Sequence, residues 1–197
     1  MNDKETGSFY TPKELIEYMV TYTSARIKPK TILEPSAGDG RFVEQLKKFN
    51  AQISLVEFDV MKAASLSSIF AERCTVHCTD FIKYANQCDK KYDLIIGNPP
   101  YITYHDLSEK QRTFVKEKYD TCKEGRFDYC YAFIEAGIRD LAKNGKLAYL
   151  IPYGVIRNKY AENVRNLIKK KLKGIIDYKG IQLFPNTVTS SIIILCD

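Results

Sequence analysis

A chain of 197 residues is long enough to bury its own core and too short for two large domains, so a single domain spanning 1–197 is expected. Its net charge of +6, with 14 Tyr, 10 Phe and no Trp, permits a polyanionic partner such as nucleic acid and falls well short of a histone-like charge. The six cysteines form no CxxC pair, no apolar leader precedes Met1-Asn2-Asp3-Lys4-Glu5, and no run has the length of a membrane span, which points to reduced thiols in a cytoplasmic protein without a membrane partner.

Taken from the start, Thr11-Pro12-Lys13-Glu14 opens a helix. It offers a capping hydroxyl, proline at the first helical position and glutamate three residues after the cap, and Leu15, Ile16, Met19 and Val20 give an apolar face. An apolar run at 31–33 passes through the small-residue turn Glu34 to Gly40 into a helix over 41–49. The run at 53–56 leads through Glu57 to a helix over 60–70, and the run at 74–78 leads to Asp80-Phe81. The fourth run, 93–96, stops at Gly97 and delivers Asn98-Pro99-Pro100-Tyr101. Residues 102–126 then form a long charged connection, and long loops inside compact domains are often functional, so a substrate-side loop or lid is expected. Helices over 127–143, ended by Asn144-Gly145, and over 158–171 flank a strand at 146–151. A weaker run lies at 174–178, and Gly180 to Thr189 leads into the last strand at 191–195. The alternation predicts a parallel sheet with helices on both faces.

The strand ends carry the chemistry. Gly38 and Gly40 remove side chains where a ligand approaches backbone; the dinucleotide pattern needs a third glycine where this chain has Val43, which argues against a bound pyrophosphate. Glu57 ends the next strand at the distance where a carboxylate accepts ribose hydroxyls. Asp80 can accept from an adenine amine while Phe81 stacks on the base, or Asp80 can be a helix cap and Phe81 core. Asn98 and Pro99 offer two acceptor oxygens for the hydrogens of an exocyclic amine, which frees its delocalised lone pair for attack, and Tyr101 can stack on a planar substrate. The alternative for Asn-Pro-Pro-Tyr is an ordinary turn. Cys74, His77 and Cys78 alternate faces of a strand with no second ligand pair, so no metal is expected. His105 has no visible partner. Lys169, Lys170, Lys171 and Lys173 suit either phosphate contact or a solvated helix end.

With these motifs the chain resembles the gamma class of adenine-N6 DNA methyltransferases of restriction-modification systems, from Gly7 to Leu195. "GSFYTP" is similar to that family's N-terminal segment, which implies that Tyr10 and Thr11, within a cofactor-binding segment 7–27, lie near the methionine end of S-adenosylmethionine. "EPSAGDGRF" resembles the cofactor loop and implies Glu34, Ala37, Gly38 and Gly40 as cofactor contacts, with Glu57 on the ribose and Asp80 and Phe81 on the cofactor adenine. "NPPY" implies Asn98, Pro99 and Tyr101 around a flipped adenine, and "FPNTVTSSIIIL" implies Phe184 on the opposite face of that base. The implied fold is Rossmann-like: a mostly parallel seven-stranded sheet with helices on both faces and an antiparallel last strand. The implied activity is methyl transfer to the N6 amine of adenine in DNA. Family members carry a target-recognition region beyond the last motif, so recognition is expected from a region or subunit outside this chain. Two alternatives stay open: a protein-glutamine or RNA amino-methyltransferase, which shares the middle motifs, and a non-catalytic DNA-binding subunit on the same fold.

Overall fold

The computed structural model describes residues 11–25, 27–177 and 190–197; the sites expected at Tyr10 and Phe184 lie outside them. Short runs of Ile, Leu and Val form β1 (Thr31–Glu34), β2 (Gln52–Glu57), β3 (Cys74–Cys78), β4 (Tyr92–Gly97), β5 (Leu141–Pro152), β6 (Leu172–Asp177) and β7 (Ser191–Cys196). They make one seven-stranded sheet in the order β3-β2-β1-β4-β5-β7-β6. β1 to β5 pair in parallel, and β7 lies antiparallel to both β5 and β6. This is the expected mostly parallel sheet with an antiparallel last strand. Strand order reverses at β1, which pairs with β2 on one side and β4 on the other. A reversal of this kind opens a crevice at the carboxyl ends of the strands.

Helices cover both faces. On one side α1 (Lys13–Ser24), α2 (Arg41–Leu46) and α3 (Val60–Phe70) bury Met19, Val43 and Leu66 against Ile32, Leu55 and Ile96. On the other, α4 (Phe81–Gln87), α5 (Glu109–Lys118), α6 (Cys130–Arg139), α7 (Gly154–Arg157) and α8 (Glu162–Lys169) pack over Leu33, Ile95 and Val56. β5 shows why one strand serves both cores: Leu147, Tyr149 and Ile151 join the second cluster and Ala148 and Leu150 the first, as alternation of side chains across a sheet requires.

Several elements differ from expectation. Thr11 does not cap α1; the Pro12 carbonyl accepts from Leu15 and Ile16 N–H, both at 3.1 Å, and the Thr11 side chain is buried instead. Segment 102–126 is not one continuous loop: it contains α5 and a 3-10 turn, Asp120–Cys122, and α5 begins with a capping box in which Ser108 and Gln111 satisfy each other's backbone N–H. The helix expected over 127–143 is shorter, because the chain enters β5 at Leu141 and makes an irregularity around Asn144, whose φ is +64°. The one expected over 158–171 is split, with Asn158 capping a short 3-10 turn, Lys159–Ala161, ahead of α8. Lys169, Lys170, Lys171 and Lys173 surround the start of β6, where Leu172 is level with Leu147 across β7. They therefore sit at the sheet edge away from Asn98, which follows β4 beyond the level of Tyr149. All six cysteines are unbridged.

Candidate functional site

Four neighbouring strands, in the spatial order β3, β2, β1, β4, deliver Asp80, Glu57, Glu34 and Asn98 to one cavity of about 340 Å³, which Thr11, Ala37, Gly38 and Phe81 also line. The turn after β1 is anchored to the end of β2. Ala37 N–H donates to the Val56 carbonyl at 3.0 Å and Gly38 N–H to Glu57 Oε2 at 2.7 Å, while Glu57 Oε1 accepts from Asp59 N–H at 2.8 Å. The carboxylate is thus fixed from both oxygens and keeps lone pairs for a ligand's hydroxyls. Gly38 and Gly40 take φ of +58° and +84°, where side chains are disfavoured. Gly40 has a second constraint: a Cβ there would come within 2.8 Å of both Leu66 and Phe70.

Glu34 is only 1% exposed, and its Oε2 has no hydrogen-bond partner among the described residues. Burial, followed by the negative charges of Glu57 and Asp39, holds its pKa well above the ordinary carboxyl value. With Asp39, Asp59 and Asp80 also on the lining, against Arg41 and Lys62, the cavity suits a ligand that carries positive charge and hydrogen-bond donors.

Asp80 caps α4 through Oδ1, which accepts from Ile82 N–H at 2.8 Å and Lys83 N–H at 3.3 Å, and its Oδ2 accepts from the Tyr129 hydroxyl at 2.7 Å. Phe81 is buried beside Phe133, ring centroids 5.0 Å apart, and both line the cavity. At the other end the Ser36 hydroxyl donates to the Asn98 carbonyl at 2.9 Å, tying the turn after β1 to the turn after β4.

The fold therefore assembles Thr11, Glu34, Ala37, Gly38, Glu57, Asp80, Phe81 and Asn98 around one space. Gly40 and Pro99 are buried outside the lining, and Pro100 takes the adjacent wall. Tyr101 also stands off the cavity: its ring packs into the α1 to α3 core and its hydroxyl donates to Ser191 Oγ at 3.2 Å, with burial raising its pKa. Tyr129, Phe133, Ile102 and Phe58 line the cavity without having been singled out from the sequence. Phe58 carried a usable signal, an aromatic directly after the strand-end carboxylate as in Asp80-Phe81; Tyr129 reads as helix core. Among the described residues no group of three or more His, Cys, Asp or Glu is placed to hold a metal, and no helix is long and apolar enough to cross a membrane. His77 packs against Tyr84 in a tilted arrangement, ring centroids 4.7 Å apart and planes at 43°.

Comparison with known proteins gives a consistent picture. The family described as Eco57I restriction-modification methylase matches residues 18–184. The type II methyltransferase M.AccI of Acinetobacter calcoaceticus is 30% identical over 202 residues, an alignment that covers 98% of this chain and 37% of that protein. The chain spans a little over a third of the length of such relatives. Among solved structures, a Listeria monocytogenes protein assigned to the class I S-adenosylmethionine-dependent methyltransferases superposes with a TM-score of 0.77 at 22% identity, covering 97% of this chain and 61% of that one. The DrdV–DNA complex gives a TM-score of 0.74 at 16% identity, covering 98% of this chain and 27% of DrdV. The likeness to the two structures is one of fold.

Proposed function

Because the chain belongs to the Eco57I restriction-modification methylase family, we propose that it transfers a methyl group from S-adenosylmethionine to the N6 amine of adenine in DNA, as the single catalytic domain of a restriction-modification enzyme. The observation that carries this reading is the convergence of Glu34, Glu57, Asp80 and Asn98 from four adjacent strand ends on one cavity.

The residues present fit the cofactor. A volume of about 340 Å³ lies in the range of small-molecule sites, and the buried Glu34 Oε2 lacks, among the described residues, the partner that a cationic ammonium would supply. Glu57 would accept from the ribose hydroxyls and Asp80 from the adenine amine, and Thr11, Ala37 and Gly38 supply further wall for the ligand. When bound, S-adenosylmethionine supplies an electrophilic methyl group on a sulfonium. Asn98 and Pro99 orient the target amine through the Asn98 side-chain oxygen and the Pro99 carbonyl. Accepting both amine hydrogens favours a pyramidal nitrogen whose lone pair is available. Asn98 is too weak a base to take the proton: as the N–C bond forms, the methyl group's bond to sulfur would break with its electron pair staying on sulfur, and the proton then leaves the amine to solvent. Flipping a base out of duplex DNA costs on the order of a few kcal/mol. Stacking of the flipped base on an aromatic offsets that by roughly 1–3 kcal/mol per contact; Phe184 is the partner in this reading, and Tyr101 would join it only by swinging its ring out of the α1 to α3 core and releasing Ser191.

The test is methyl-labelled S-adenosylmethionine offered with DNA, RNA and glutamine-containing peptide acceptors, followed by digestion of the DNA to nucleosides. Label in N6-methyladenine is expected, and label in RNA or peptide instead of DNA overturns the assignment. Asn98→Ala should lower transfer by about 10²–10³-fold, as loss of a transition-state hydrogen-bonding group does, while binding of S-adenosylhomocysteine stays unchanged.

A further inference from the structure

Tyr129 is 3% exposed and lines the cavity next to Phe81, Phe133 and Ile102. It is held at both ends. Its backbone N–H donates to the Ile102 carbonyl at 2.9 Å and its hydroxyl to Asp80 Oδ2 at 2.7 Å. Asp80 Oδ1 already accepts two backbone N–H groups at the start of α4. A carboxylate has about four lone-pair sites, so among the described residues the Tyr129 hydroxyl takes the third and leaves one direction open on Oδ2. Burial, and next the charge of Asp80, raise the pKa of the Tyr129 hydroxyl, so it stays a donor at neutral pH.

We propose that Tyr129 is a positioning residue for purine recognition: it fixes Asp80 Oδ2 so that the remaining lone pair meets the 6-amine of the cofactor's adenine, and the site thereby rejects 6-oxo purines. This rests on the adenosine reading of the cavity. A 6-oxo group presents an acceptor to an acceptor, and an oriented carboxylate gives it no alternative geometry. Through Ile102 the same residue ties the purine end of the cavity to the segment just beyond Asn98.

Calorimetric titration with S-adenosylhomocysteine and with its deaminated analogue S-inosylhomocysteine separates this role from simple packing. Tyr129→Phe should bind S-adenosylhomocysteine about tenfold more weakly, roughly the worth of one charge-assisted hydrogen bond, and should bind the inosine analogue as the unaltered chain does, so discrimination shrinks. In turnover, KM for S-adenosylmethionine rises with kcat little changed. Introduced beside Asp80→Asn, Tyr129→Phe should add no further loss, because the two act as a unit. Equal weakening for both ligands, unchanged discrimination, or an additive effect in the Asp80→Asn background overturns the proposal while leaving the cofactor assignment intact. A folded, unaltered chain that binds no S-adenosylhomocysteine overturns both.

Discussion

Glu34 faces the cavity from the end of β1 with almost no solvent contact and, among the described residues, one oxygen unpartnered. Burial first, then the carboxylates of Glu57 and Asp39, raises its pKa well above 4.5. A carboxyl group with a raised folded-state pKa keeps its proton to higher pH in the folded chain than in the unfolded one. Its contribution to stability is therefore present below about pH 4.5 and is lost as pH rises through the folded pKa. Glu34→Gln removes that loss, so the melting temperature of the variant relative to the unaltered chain should climb between pH 4.5 and 8. The gain should be a few degrees, since about 1 kcal/mol shifts Tm by roughly 2–4 °C at this size. Parallel melting curves across that range would show that Glu34 does not titrate there. Binding of a cation reverses the sign: a positive charge against Glu34 favours its ionised form. Cofactor binding at a pH below the folded-state pKa of Glu34 should then release protons, visible as a dependence of calorimetric heat on buffer ionisation enthalpy that Glu34→Gln diminishes.

At the scale of elements, the glycine turn between β1 and α2 separates stability from affinity. Gly40 combines φ of +84° with Leu66 and Phe70 only 2.8 Å from a new Cβ. Gly40→Ala therefore incurs left-handed strain of about 1–2 kcal/mol and overpacking of about 1–3 kcal/mol. Gly38 has φ of +58° and no atom within 4 Å of a new Cβ, so Gly38→Ala adds the strain alone but places a methyl group on the cavity wall. Urea unfolding should show the larger loss for Gly40→Ala, and titration with S-adenosylhomocysteine the larger loss of affinity for Gly38→Ala. This turn was legible in the sequence, as were Glu57, Asp80 and Asn98, because each follows an apolar run whose end is fixed by the next Gly, Pro or capping residue. α5 was not: it fully buries only Val115, so its apolar face is too thin to give a helical period, although Ser108 and Gln111 stand at capping-box spacing. Tyr129 was hidden for the opposite reason. It sits among Phe127, Cys130, Tyr131 and Phe133, all buried, and nothing local distinguishes the one hydroxyl that reaches Asp80 in another element.

For the molecule as a whole, alternation along the strands creates two cores that share one sheet. Ile53 belongs to the core under α1 to α3 and Ile134, on α6, to the core on the opposite face. The apolar runs announced the strands, but the position of β7 between β5 and β6 depends on long-range antiparallel pairing that no local pattern encodes. That placement matters for cooperativity. Ile193 and Leu195 of β7 enter one core while Ile192 and Ile194 enter the other, so neither face can open without disturbing a strand that both need. Ile53→Val and Ile134→Val should each cost about 0.5–1.5 kcal/mol. Because they belong to separate clusters on opposite faces of the sheet, the double variant should lose the sum to within about 0.5 kcal/mol. In urea each substitution should lower the midpoint with the slope unchanged, and tyrosine fluorescence and circular dichroism should trace one coincident transition. Two resolved transitions, or an Ile53→Val effect confined to one probe, would mean that the faces unfold separately and that β7 does not couple them.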